Sequence, residues 1–169
     1  MSHRFDNYGR ILVAFVAVLV LTCSWAAQAQ NSAQGNIVVN GKKIEFRHAY
    51  GVTQTSLTNG KPETILVITD QPLSEKVVTD RKQRSDATIS RGVNMLEIET
   101  ERRPLDIVQV SISVGPLRSN TSTRRYKLEL EGGGDKRLKG RLSMEEPWET
   151  FGNRYQIDVR FDTSVVPGK

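Results

Sequence analysis

Apolar and polar residues alternate with a period of two along most of this chain, which is the pattern of strands with one buried and one wetted face. The clearest run is Tyr155-Gln156-Ile157-Asp158-Val159-Arg160-Phe161, in which every odd position is apolar and every even one polar. Val108, Val110, Ile112 and Val114 alternate in the same way with Gln109, Ser111 and Ser113, and Leu96 and Ile98 with Glu97 and Glu99. Near the start, residues 36–39 and 42–46 flank Asn40-Gly41, a pair suited to a two-residue hairpin turn in which both central residues take positive φ. Such a turn sets Val39 opposite Lys42 and Ile37 opposite Ile44, with both isoleucines on one face. Continuing the count puts Ile44, Phe46, His48 and Tyr50 on the buried side, and Glu45, Arg47 and Ala49 on the other.

Three segments depart from simple alternation. Thr64-Ile65-Leu66-Val67-Ile68-Thr69 is unbroken and β-branched, as expected of a central strand covered on both faces. Residues 72–85 suit a short helix capped by Asp70 or Ser74, with Leu73, Val77 and Val78 on one side and Glu75, Lys76, Asp80, Arg81 and Lys82 outside. Residues 125–142 form a hairpin around Gly132-Gly133-Gly134. An odd-length loop centred on Gly133 sets Leu128 opposite Leu138, Tyr126 opposite Gly140 and Glu129 opposite Arg137, whereas an even-length loop would oppose apolar to charged positions. The outer face of that hairpin carries Arg125, Lys127, Arg137, Lys139 and Arg141, relieved by Glu129 and Glu131. Eight or nine strands with one helical insert predict an all-β, mainly antiparallel fold, either a β-sandwich or a partly closed barrel.

The first residues change the setting of that domain. Arg4 and Arg10, the apolar run 11–21 and the ending Ala27-Gln28-Ala29 follow the order of a secretory signal peptide cleaved after Ala29. A membrane anchor needs about 20 apolar residues, and Gln28, Gln30 and Asn31 follow too soon. Cys23 raises lipid attachment as an alternative, but Thr22 precedes it where that pattern has Gly, Ala or Ser. The expected product is periplasmic or secreted, with no transmembrane segment. It has a short disordered lead to residue 35 and a single β-domain over 36–169. Cleavage removes the chain's one cysteine, so disulfides, thiol nucleophiles and thiolate metal ligands go with it. It also removes Arg4, Arg10 and Asp6, so 24 basic and 19 acidic residues become 22 and 18, a formal +4. Outside the cytoplasm that charge points to solubility or to an anionic envelope component, not to nucleic acid.

Little catalytic chemistry is left. His48 is then the only imidazole, and a nucleophilic triad needs a base beside its nucleophile. No Gly-x-Ser-x-Gly elbow is present, so His48 fits a hydrogen-bonded core position better than a catalytic one. Zinc would want several His or Cys, and Asp70, Glu97 and Glu99 lack EF-hand spacing; no metal and no cofactor is expected. Glu97 and Glu99 share a strand face and fit solvated surface. Gly132–Gly134 precedes a charged strand pattern rather than a helical one, unlike a phosphate loop. Trp148 and Phe151, in Glu145-Glu146-Pro147-Trp148-Glu149-Thr150-Phe151, either anchor a partner or plug the open end of the fold, the plug being the plainer role.

Two stretches carry a resemblance. Gly35-x-x-x-Val39-x-Gly41-Lys42-x-Ile44 with His48-Ala49-Tyr50, and Gly140-Arg141-Leu142 with Phe151-Gly152, Tyr155, Asp158 and Phe161, resemble a group of exported bacterial proteins with no assigned activity. The resemblance implies an exported β-domain and supplies no catalytic residues. Three functions stay open in this order. The first is a non-catalytic binding module using the basic face or the Trp148 loop against an anionic envelope component or a partner protein. The second is a carrier with an interior pocket near Phe46, His48 and Tyr50. The third is a hydrolase built on His48.

Overall fold

A computed structural model describes residues 31–56, 59–101, 107–121, 124–134 and 136–169. The expected leader with its cleavage site, Cys23 and Pro104 lie outside them. The strands are β1 (Ser32–Val39), β2 (Lys42–Thr55), β3 (Pro62–Thr69), β4 (Met95–Glu101) and β5 (Ile107–Val114). They continue as β6 (Leu117–Thr121), β7 (Lys127–Gly134), β8 (Arg137–Ser143), β9 (Trp148–Thr150) and β10 (Asn153–Pro167). All ten belong to one curled sheet in the order β6-β5-β4-β3-β2-β1-β10-β8-β7, with β9 paired to the start of β10. Every neighbour pair is antiparallel except the last residues of β10, which run parallel to β2 beyond the start of β1. The architecture is all-β with a small helical insert, a half-barrel rather than two separate layers.

Asn40 (φ 51) and Gly41 (φ 82) make the expected turn, and Val39 pairs with Lys42 and Ile37 with Ile44. The alternation then breaks. The β1–β2 register shifts where Gly35 and Ser32 face Phe46 and His48. Beyond that point the inward positions of β2 change from even to odd. Phe46 and Ala49 both join the interior core, while Tyr50 and Val52 pack on the outer face. His48, paired with Thr69, therefore shares the outer face with Tyr50 and does not point inward with Phe46. A uniform period of two cannot anticipate a bulge, which moves every later side chain to the opposite face. Residues 31–35, expected within a disordered lead, instead belong largely to β1, which starts at Ser32. Pairing to β10 on one side and β2 on the other satisfies its backbone despite polar side chains.

The interior of the curl is filled by residues from both ends of the sheet, among them Ile37, Phe46, Leu96, Ile112, Leu142 and Tyr155. β3 is buried on both faces, as its unbroken apolar run predicts. Leu66 and Ile68 face inward, and Ile65 and Val67 face a second cluster under the helices. The insert is longer than expected and divided into α1 (Glu75–Thr79) and α2 (Arg81–Ser90). Asp80 makes the division by leaving helical geometry, and its carboxylate accepts the Gln83 amide at 3.1 Å to cap α2. Leu73, Val78 and Ala87 cover Val52, Ile65 and Val67.

The β7–β8 register differs from expectation. Leu128 pairs with Leu142 rather than Leu138, Leu130 with Gly140, and Glu129 with Arg141. The glycines extend the ladder to Gly134↔Arg137 instead of forming a wide loop, and an irregularity between Leu130 and Gly132 absorbs the difference. The displacement is even, so each face keeps its residues.

Candidate functional site

The candidates His48, Tyr50, Trp148 and Phe151 fall into two separate places. Tyr50 is a fastening: its hydroxyl accepts the backbone N–H of Leu73 at 2.9 Å, which ties the approach to α1 onto β2. His48 is half-buried two residues away on the same face. Neither lies near the Trp148–Phe151 segment, which forms β9 and the turn into β10.

The expected basic face exists as positions but not as free charge. Arg141 and Arg137 each make two hydrogen bonds of 2.7 Å to Asp158 and Asp162 on β10. Lys127 pairs with Glu129 at 2.7 Å and Lys139 with Glu131 at 3.4 Å. The hydrogen bonds from Arg141 and Arg137 hold the Asp158 and Asp162 carboxyls below their ordinary range. Antiparallel pairing produces these ion pairs: the polar positions of β10 on this face are Asp158, Arg160 and Asp162, and the register sets the two aspartates beside the cations of β8 while Arg160 stands opposite Arg141. The aspartates were visible in the sequence, but their neighbours follow only from the sheet order.

The fifth cation, Arg125, lies over the ring of Trp148, a contact worth about 0.5–1 kcal/mol at an exposed site. It belongs to an open cleft of about 410 Å³. It is lined by Arg124, Arg125, Tyr126 and Lys127 from the entry to β7 and by Met144, Glu145, Glu146, Pro147 and Trp148 from the end of β8 to the start of β9. Trp148 is 37 % exposed.

Next to the cleft the β9–β10 hairpin turns through Phe151 (φ 48) and Gly152 (φ 72). Phe151 is 86 % exposed, so it does not plug the fold; Tyr126 and Tyr155 are buried in the interior core. The turn is held in place by the neighbouring hairpin. The Asn40 side chain donates to Asn153 Oδ1 at 2.8 Å and accepts the Arg154 amide at 2.9 Å, while the Asn40 amide donates to the Arg154 carbonyl at 2.8 Å. Thus two tight turns of like geometry stand together, one reading Asn-Gly and the other Phe-Gly.

A second cleft of about 820 Å³ opens at the opposite end of β2 and β3, bordered by Glu63, Glu99 and Glu101. Two of these carboxylates have partners: Glu63 accepts from Gln54 at 2.8 Å and Glu99 from Arg81 at 2.9 Å. Burial pushes the Glu99 carboxyl above its ordinary range. Glu97 and Glu99, expected as solvated surface, are half-buried beneath α2, where Glu97 receives Arg84. Sequence reasoning missed Arg84. The signal was geometric, since a helical step of three (Arg81, Arg84) spans about the same length as a strand step of two (Glu97, Glu99). No family model, no curated protein and no solved structure matches this chain.

Proposed function

We propose that this chain is an exported, non-catalytic interaction module that engages a polypeptide partner through the end of the sheet bearing the Trp148–Phe151 hairpin. The observation that carries this reading is Phe151, an aromatic 86 % exposed at a backbone φ of 48°. The left-handed region costs an ordinary residue about 1 kcal/mol or more, and Asn or Gly would remove much of that cost in such a turn. The left-handed backbone therefore costs the isolated fold, and the exposed ring returns nothing to it. The arrangement becomes favourable once a partner covers the ring, since burying a phenylalanine is worth about 1.5–3 kcal/mol.

Charge argues for a polypeptide over an anionic polymer. The cations of the β7–β8 face are matched by Asp158, Asp162, Glu129 and Glu131, and the cleft sets Glu145 and Glu146 against its arginines. A surface of mixed sign repels part of any single-sign polymer and suits a partner carrying both signs. Less speaks for the carrier and hydrolase readings, because His48 stands on the outer face and Phe46 is buried in the interior core.

Replacing Phe151 by a photoreactive phenylalanine analogue in secreting cells tests the reading. Irradiation should produce one discrete protein adduct, and the same probe at Asn59, at the opposite end of β2, should produce none. Equal labelling from both positions, or none from 151, overturns the proposal.

A further inference from the structure

Resting on that reading, we infer that the partner is a second copy of this chain, joined about a two-fold axis by exchange of Phe151: each copy's phenyl ring enters the other's cleft beside Trp148, Met144 and Pro147. A two-fold interface is self-complementary, so the projecting group and its socket must both lie on one patch of one chain. They do so here. Trp148 lines the cleft and lies three residues before Phe151, a separation of about 10 Å along an extended strand. The cleft, about 410 Å³ with an apolar and aromatic part of its lining formed by Tyr126, Met144, Pro147 and Trp148, has room for a benzyl group.

The charges follow the same symmetry. The cleft is lined by both signs, Arg124, Arg125 and Lys127 from the entry to β7 and Glu145 and Glu146 from the connection between β8 and β9. In a two-fold pair any contact between a cation of one copy and a glutamate of the other forms twice. A polyanion would meet the glutamates and a polycation the arginines, whereas a copy of the same surface offers both signs to both. The residue choice in the two turns fits as well. Asn40 occupies the left-handed position in the hairpin that only ties the fold together, and Phe151 occupies it in the hairpin that projects.

Sedimentation velocity on the purified protein tests the inference, with three variants. The wild type should approach twice the chain mass as concentration rises. Phe151→Asn should weaken self-association about tenfold or more while raising the thermal midpoint of the dilute monomer, because asparagine tolerates the left-handed turn. The double variants Arg124→Glu/Arg125→Glu and Glu145→Lys/Glu146→Lys should each be monomeric alone and should dimerise when mixed in equal amounts. A wild type that stays monomeric throughout, or a dimer indifferent to Phe151→Asn, overturns the second-copy assignment. If the wild type is monomeric yet position 151 still crosslinks to another protein in cells, the second copy is lost and the interaction surface stands. If no crosslink forms either, both are lost.

Discussion

Arg84 is 1 % exposed, yet it carries a full charge beneath α2. Its Nε donates to Glu97 at 2.5 Å and its Nη1 to the Val78 carbonyl at 2.6 Å, while Nη2 has no hydrogen-bond partner among the described residues. A charge so placed is tolerated only because it is paired, and removing one partner strands the other. Arg81, 44 % exposed over Glu99, makes a similar bond in a wetter place, where such pairs are worth less than about 1 kcal/mol. Arg84→Ala should therefore cost about 3 kcal/mol in urea-induced unfolding, and Arg81→Ala less than about a third of that. Equal costs would mean that the insert is not held down by the buried pair. The rule that arginine seldom lies fully buried made the helix's polar positions look solvent-facing, and nothing local contradicts it: Glu97 is remote in sequence and its neighbour is known only once α2 lies across β4. The turn at Phe151 is legible in the sequence, since Phe-Gly before the alternating run of β10 has the form of a tight-turn dipeptide.

The hairpins show where local pattern suffices for an element and where it does not. Asn40-Gly41 leaves a single turn geometry open, and the strands on either side have one apolar face each, so turn and pattern choose the same register. Between β7 and β8 three consecutive glycines allow several loop lengths, and any even displacement keeps Leu128 and Leu138 on their faces. The observed register is selected by approach distance. A Cβ on Gly140 would lie 2.1 Å from the carbonyl oxygen of Glu129 and 3.1 Å from the Cα of Leu130, so this position admits no side chain while β7 lies where it does. Gly140→Ala should then detach β7 from β8 rather than cause a uniform loss of stability. Amide exchange in residues 127–131 should rise by more than about tenfold with β3 and β4 still protected. Unchanged protection in β7 would show that the strand can move aside without loss. The central strand β3, by contrast, was readable outright, because burial on both faces leaves an unbroken apolar run in the sequence itself.

At the scale of the whole molecule the sheet has two ends, β6 and β7, which follow one another in sequence but are not paired. Side chains bring them together. The Tyr126 hydroxyl, just before β7, lies 2.9 Å from Thr121 Oγ1 at the end of β6 and 2.7 Å from the Tyr155 hydroxyl on β10. Alternation along single strands predicts a sheet with one oily face; it carries no information on whether the ends meet, so it fits a sandwich and a half-barrel alike, and the single sheet order with the Tyr126–Tyr155 contact separates them. Burial pushes the Tyr126 phenol well above its ordinary value of 10.0. The sign of the consequence is definite. A phenol whose folded value is raised contributes stability that is fully present below pH 10 and is lost as the pH climbs from there through the raised value, because the unfolded chain releases its proton first. Tyr126→Phe gives up the two hydroxyl contacts, at a cost of about 1 kcal/mol near neutrality, but has no proton to release. The stability gap between wild type and variant should thus be constant from pH 7 to 9 and narrow progressively above pH 10 in thermal unfolding. A gap that stays constant into the alkaline range would mean that solvent already reaches the phenol, and that the two ends of the sheet are not sealed by it.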